Sequence, residues 1–169
     1  PLLRLPMKLL LRTLTAFLLG LAITAAMLFL PAGTGHYPGA WLFMALLFIP
    51  ILIMGVVLLI KNPELLRKRL EMKEREKEQR SVVALSGLLL VGSFIVAGLD
   101  FRFGWSHVSS VVVIIASIAL LISYALYAEV MRENAFLSRT VEVQEGQTVI
   151  SAGLYGVVRH PMYLATLFM

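Results

Sequence analysis

The residues best suited to chemistry lie in the stretch GLYGVVRHPMYLATLFM, at 153–169. Arg159 and His160 offer N–H donors to a carboxylate or phosphate, and Tyr155 and Tyr163 offer ring faces to a cation. Pro161 suits the first turn of a helix, where a missing N–H has no partner to lose. A helix opening there is expected to leave unpaired backbone N–H groups at its mouth, beside Arg159 and His160, a seat for an anion. An anion seat, a cation-accepting aromatic pair and a polar cap at one membrane mouth together suit a zwitterionic cofactor. Singly, each residue has a plainer role. Arg159 serves as a charge flanking a membrane span, His160 as a cap on a neighbouring carbonyl, and Tyr163 as an interfacial aromatic.

Upstream, polar residues gather at 131–159. Val141, Val143, Thr148, Val149 and Ile150 flank Gln144-Glu145-Gly146-Gln147, a pattern of extended pieces around a Glu-Gly turn. A small hairpin-like or extended cap is expected, after which Gly153 supplies a permissive backbone angle.

The elements that must position these groups are read from composition and charge. Hydrophobic residues make up 59% of the 169 positions and mean hydropathy is +0.87, far above a soluble domain. No Asp, Glu, Lys or Arg lies between Arg12 and Lys61, but PAGTGHYPGA at 31–40 is dense in helix breakers and divides that run. The expected fold is therefore an all-α, multi-pass transmembrane bundle in a single membrane domain. Its spans fall at about 9–30, 40–60, 81–99 and 108–130, with a fifth beginning at 160–169 and polar loops at 61–80 and 131–159. The first run exceeds a typical signal-peptide core and more spans follow it, so it reads as a retained span. Nine residues from Pro161 rise only about 13 Å against a hydrocarbon core of roughly 30 Å. The chain is accordingly expected to be a fragment lacking its C-terminal end.

The fifteen Lys and Arg residues orient the bundle. Three precede or open the first span, eight lie at 61–80, one separates the third and fourth spans, and three lie at 132–159. By the inside-positive rule the N-terminus and both polar loops face the cytoplasm, and Trp41 and Trp105 anchor span ends on the outer side. The loop KNPELLRKRLEMKEREKEQR carries eight basic and five acidic residues, net +3. Asn62 as N-cap, Pro63 at the first helical position and Glu64 near the positive dipole end predict a short helix. It reads first as a solvated connector that enforces topology, and second as a juxtamembrane helix drawn to anionic lipid.

Several functions are disfavoured. With no cysteine, thiolate metal sites are excluded, and His36, His107 and His160 lack partners at ligand spacing, so no metal is expected. No ionisable residue sits near the middle of a predicted span, which argues against an ion-coupled transporter. The basic residues flank membrane spans without a nucleic-acid motif, so no nucleic-acid partner is expected. Gly20 with Thr24 is spaced to let helices approach closely, but such spacing arises often by chance and ordinary helix packing covers it.

The text ENAFLSRTVEVQEGQTVISAGLYGVVRHPMYLATL, at 133–167, resembles the isoprenylcysteine carboxyl methyltransferase family, whose hallmark is Gly-x-Tyr followed shortly by Arg-His-Pro-x-Tyr. The resemblance implies an all-helical membrane enzyme that binds S-adenosylmethionine on the cytosolic side. It implies cofactor contacts from Tyr155, His160, Pro161, Met162 and Tyr163, a second wall from Gln147, Thr148, Val149 and Ile150, and an upstream contact from Gln144. No catalytic residue is assigned, Arg159 and His160 serving to position. The family's later Glu and Arg have no counterpart in this chain, so the fragment alone is expected to be inactive.

The implied reaction moves a methyl group from a sulfonium to a nucleophile on a lipid-like or prenylcysteine-type acceptor that enters sideways from the membrane. A carboxylate acceptor is ionised at neutral pH and needs no general base, so rate would come from holding donor and acceptor in attack geometry. The expected location is a bacterial or archaeal cell membrane with the site facing the cytoplasm. Two alternatives stand beside this one. A sterol-reductase-like membrane oxidoreductase uses NADPH and a related Arg-His-x-x-Tyr stretch, although Met162 replaces the Asn expected there. The other is a non-catalytic membrane scaffold.

Overall fold

Long apolar runs satisfy their backbone polar groups in lipid only as helices or closed barrels. The computed structural model, which describes residues 7–70, 77–133 and 153–168, shows four long helices. In chain order the elements are α1 (Met7–Ala32), α2 (Pro38–Lys61), α3 (Pro63–Leu70), α4 (Lys77–Phe103), α5 (Ser110–Glu133), α6 (Leu154–Val157) and α7 (Pro161–Leu167). Helices α1, α2, α4 and α5 are long and apolar enough to cross a membrane, and no strand occurs among the described residues. The fold is thus an all-α, multi-pass membrane bundle. The expected hairpin or extended cap at 141–150 lies outside the described residues.

Helix ends follow local rules. Gly33 takes φ 70° and closes α1 by donating its N–H to the Phe29 and Leu30 carbonyls at 3.0 and 3.2 Å. Pro38 then opens α2 at the first turn. Asn62 serves two helices: its N–H donates to Leu58 O at 2.8 Å, and its Oδ1 accepts from Leu65 N at 3.1 Å. The first bond ends α2, and the second caps α3 as the sequence predicts. Glu64 pairs with Arg67 at 3.3 Å across the solvent face of α3.

Packing links α4 to α1, α1 to α2, α2 to α5 and α5 to α7, with α3 held against α1 and α2. Two buried clusters divide the bundle by height. At the end bearing Tyr37, Leu28, Ala40, Met44 and Phe48 are surrounded by Phe17, Phe29, Phe43 and Phe94. Tyr37 stacks on Phe101 with ring centroids 4.0 Å apart, and Trp41 donates its indole N–H to Gly35 O at 2.8 Å. Burial, assisted by the negative charge of Asp100, pushes the Tyr37 phenol above its ordinary pKa. At the other end, Leu9, Leu58, Leu59, Leu65, Leu66 and Met131 pack together beneath the basic residues of α3.

The close approach between spans occurs at Gly98. A Cβ there would lie 2.5 Å from Leu28 O and 3.0 Å from Pro31 Cβ, so α4 meets the backbone of α1 directly. Thr24 is buried, but a Cβ on Gly20 would stand 3.8 Å from the Phe48 ring, an ordinary contact. Gly20 therefore sits in ordinary helix packing, as expected, and the close backbone approach belongs to Gly98.

Candidate functional site

Gly153 enters the site with φ 59°, a left-handed angle that a side chain would strain. This turn starts the single helical turn of α6, which carries Tyr155 and ends where Val158 extends toward Arg159 and His160. His160 stands at the N-terminal boundary of α7 without capping it through its side chain, and Pro161 takes the first turn. Arg159 and His160 are exposed, Tyr155 and Met162 are half-buried, and Tyr163 is 68% exposed. The His160 and Tyr163 rings face each other obliquely with centroids 5.3 Å apart.

The backbone at this mouth offers less to an anion than the sequence suggests. Pro161 has no N–H, while Tyr163 and Leu164 donate theirs to His160 O at 3.0 and 3.2 Å. At most the Met162 N–H remains at the first three helical positions. An anion here depends on the side chains of Arg159 and His160.

Two contacts hold this segment. Pro161 and Ala165 are buried, and Ser123 of α5 donates its hydroxyl to Ala165 O at 2.7 Å. That bond satisfies a buried hydroxyl and ties α7 to α5 at a defined height, since an unpaired polar group there would cost free energy. Pro161 fixes the backbone that presents its neighbours. Gln144, Gln147, Thr148, Val149 and Ile150 lie outside the described residues, so the structure brings together the RHPMY half of the expected residue set.

Neighbouring positions of α5 line an apolar cavity of about 510 Å³ bordered by α1, α2, α3 and α5. Phe17, Gly20, Gly55 and Leu59 line its wall, and Tyr124, Tyr127 and Met131 face it from α5. Tyr124 donates to Leu47 O at 3.2 Å, which leaves the cavity surface almost wholly hydrocarbon. Arg69 of α3 closes the basic end, its guanidinium 5.0 Å from the Tyr127 ring centre. Nothing in the sequence alone singles out Tyr124, Tyr127 or Arg69. Their only signal was a pair of tyrosines three apart in the last third of an otherwise apolar span.

Helix α5 is thus a shared wall, binding the ring-bearing segment through Ser123 and lining the apolar cavity through Tyr124, Tyr127 and Met131. Such a wall can hold an amphiphile in the cavity while a polar ligand sits on exposed side chains near the same end. No metal-binding group of three or more His, Cys, Asp or Glu occurs among the described residues. Compared with protein-family models, curated proteins and solved structures, the chain matches none.

Proposed function

We propose that this protein is an integral-membrane methyltransferase that uses S-adenosylmethionine and acts on a lipid-like or prenylated acceptor, with a carboxylate as the favoured nucleophile. The observation that carries this reading is the pairing of the His160 and Tyr163 rings, on the segment bound to α5, with an apolar cavity of about 510 Å³ that α5 also lines. The reading also draws on the resemblance of 133–167 to the isoprenylcysteine carboxyl methyltransferases.

S-adenosylmethionine supplies an electrophilic methyl group on a cationic sulfur. The exposed Tyr163 ring fits a cation of this kind, and the exposed Arg159 guanidinium fits a carboxylate such as the one its amino-acid portion carries. Tyr155 and Met162 border the same surface. On the acceptor's side, the cavity removes a hydrocarbon chain from lipid without desolvating polar groups. An acceptor carboxylate is already ionised, so none of these side chains must take a proton from it. The chain's task is then to orient two ligands and exclude water. On this reading the basic end faces the cytoplasm, in keeping with the distribution of Lys and Arg.

The test is equilibrium binding of S-adenosylmethionine and of NADPH to the purified protein in detergent. S-adenosylmethionine is expected to bind, with affinity lowered about tenfold in Tyr163→Ala through loss of the ring, and His160→Ala is expected to weaken it as well. Binding of NADPH alone would replace this reading with a reductase. Binding of neither would leave the scaffold.

A further inference from the structure

A second polar feature lies at the basic end, away from α6 and α7. Lys8 and Arg12 stand four apart on one face of α1, and Arg67 of α3 approaches the same cleft of about 410 Å³. Leu9 and Pro63 line it, and Glu64 is the carboxylate on its rim, already engaged with Arg67 at 3.3 Å. Three cations therefore share one cleft with one acid. The cleft is a built feature of the fold, because Leu65 and Leu66 are 2% and 5% exposed and seat α3 against α1 and α2. Arg12 adds a bond from Nη2 to Leu70 O at 3.1 Å, which fastens the far end of α3 to α1.

We infer that this cleft binds the phosphodiester headgroup of an anionic phospholipid in the leaflet at the basic end. The chemistry it selects is a phosphate bearing a net negative charge, which lysine and arginine bind as point charge and fork respectively. Two observations favour a lipid over a soluble phosphate. The cleft lies at the first turns of α1, a helix long and apolar enough to cross a membrane, and against α3, which follows the last turn of α2, where headgroups would lie in a bilayer. Leu11 and Leu19, both exposed, continue the Lys8 and Arg12 side of α1 toward the bilayer centre, giving acyl chains a track below the headgroup. This site is independent of the methyltransferase reading.

The experiment is titration of the purified protein in detergent with phosphatidylglycerol and with phosphatidylcholine of the same acyl chains, read as bound lipid by native mass spectrometry. Phosphatidylglycerol is expected to bind about tenfold or more tightly, with the preference shrinking in high salt. Lys8→Gln combined with Arg67→Gln is expected to remove most of that preference, at up to about fivefold for each cation, and leave phosphatidylcholine unchanged. Lys8→Arg with Arg67→Lys should restore most of the preference. Lys61→Gln, on the exposed last turn of α2 but outside the cleft, should leave it unaltered. Equal binding of the two lipids by the unaltered protein would overturn the inference, a result that needs no variant to fold. So would an equal loss in Lys61→Gln, which would reduce the effect to general attraction by basic residues. Soluble glycerol phosphate should not compete at millimolar concentration; if it does so as well as the lipid, the site belongs to a free phosphate.

Discussion

Two seams of this bundle use the same apolar alphabet for opposite purposes. Where α4 crosses α1 and α2 near Tyr37, ring contacts such as Phe43 with Phe94 at 5.5 Å and the backbone approach at Gly98 close the seam, and the cleft of about 680 Å³ at that end lies instead between α2, α4 and α5. At the basic end the helices are held together by Leu9, Leu58, Leu65, Leu66 and Met131, yet they enclose an apolar cavity of about 510 Å³. Filled space stabilises, and retained space is available for a ligand. Two glycines mark the contrast. Gly98 has Leu28 O where a Cβ would go, whereas Gly55, on the cavity wall, has nothing within 4 Å.

The largest effect is therefore expected at Gly98. Gly98→Leu should force α4 off α1 and cost about 3 kcal/mol or more of stability, measured as a lowered unfolding midpoint in detergent. Ser123→Ala should come next. It removes the hydroxyl that meets Ala165 O, so stability should fall by about 1 kcal/mol. S-adenosylmethionine affinity should fall with it, because α7 loses its fixed height on α5. Gly55→Leu should change stability by less than about 0.5 kcal/mol, since the cavity accepts the side chain, while weakening retention of a prenyl-bearing probe. A comparable loss of stability at Gly55 and Gly98 would erase the distinction between the two seams. An effect between those of Ser123→Ala and Gly55→Leu is expected from Arg69→Gln, which gives up the contact with Tyr127 at about 0.5–1 kcal/mol.

What the sequence revealed and what it concealed divides along the range of the interactions. The four spans, the break at 31–40, and the Asn62 cap with Pro63 behind it follow from rules acting over a few residues, and the helices bear them out. The contact at Gly98 follows from which helix lies beside which. In the sequence Gly98 looks like Gly20, Gly55, Gly87 or Gly92, each a glycine in an apolar run, and only the pairing of α4 with α1 separates it from them. The cavity is invisible for the same reason, because its wall is assembled from four helices. At the candidate site, Pro161 at the start of a helix was legible. The loss of free N–H groups to the His160 carbonyl was not, because it depends on how tightly the first turn winds.

The central claim is that the ring-bearing start of α7 holds the methyl donor. Direct ultraviolet cross-linking of the protein with methyl-labelled S-adenosylmethionine, followed by peptide mapping, tests it most directly. The account predicts label on the peptide spanning 153–168, abolished by excess unlabelled donor and strongly reduced in Tyr163→Ala. Label confined to another segment, or none at concentrations that saturate known users of this donor, would contradict it.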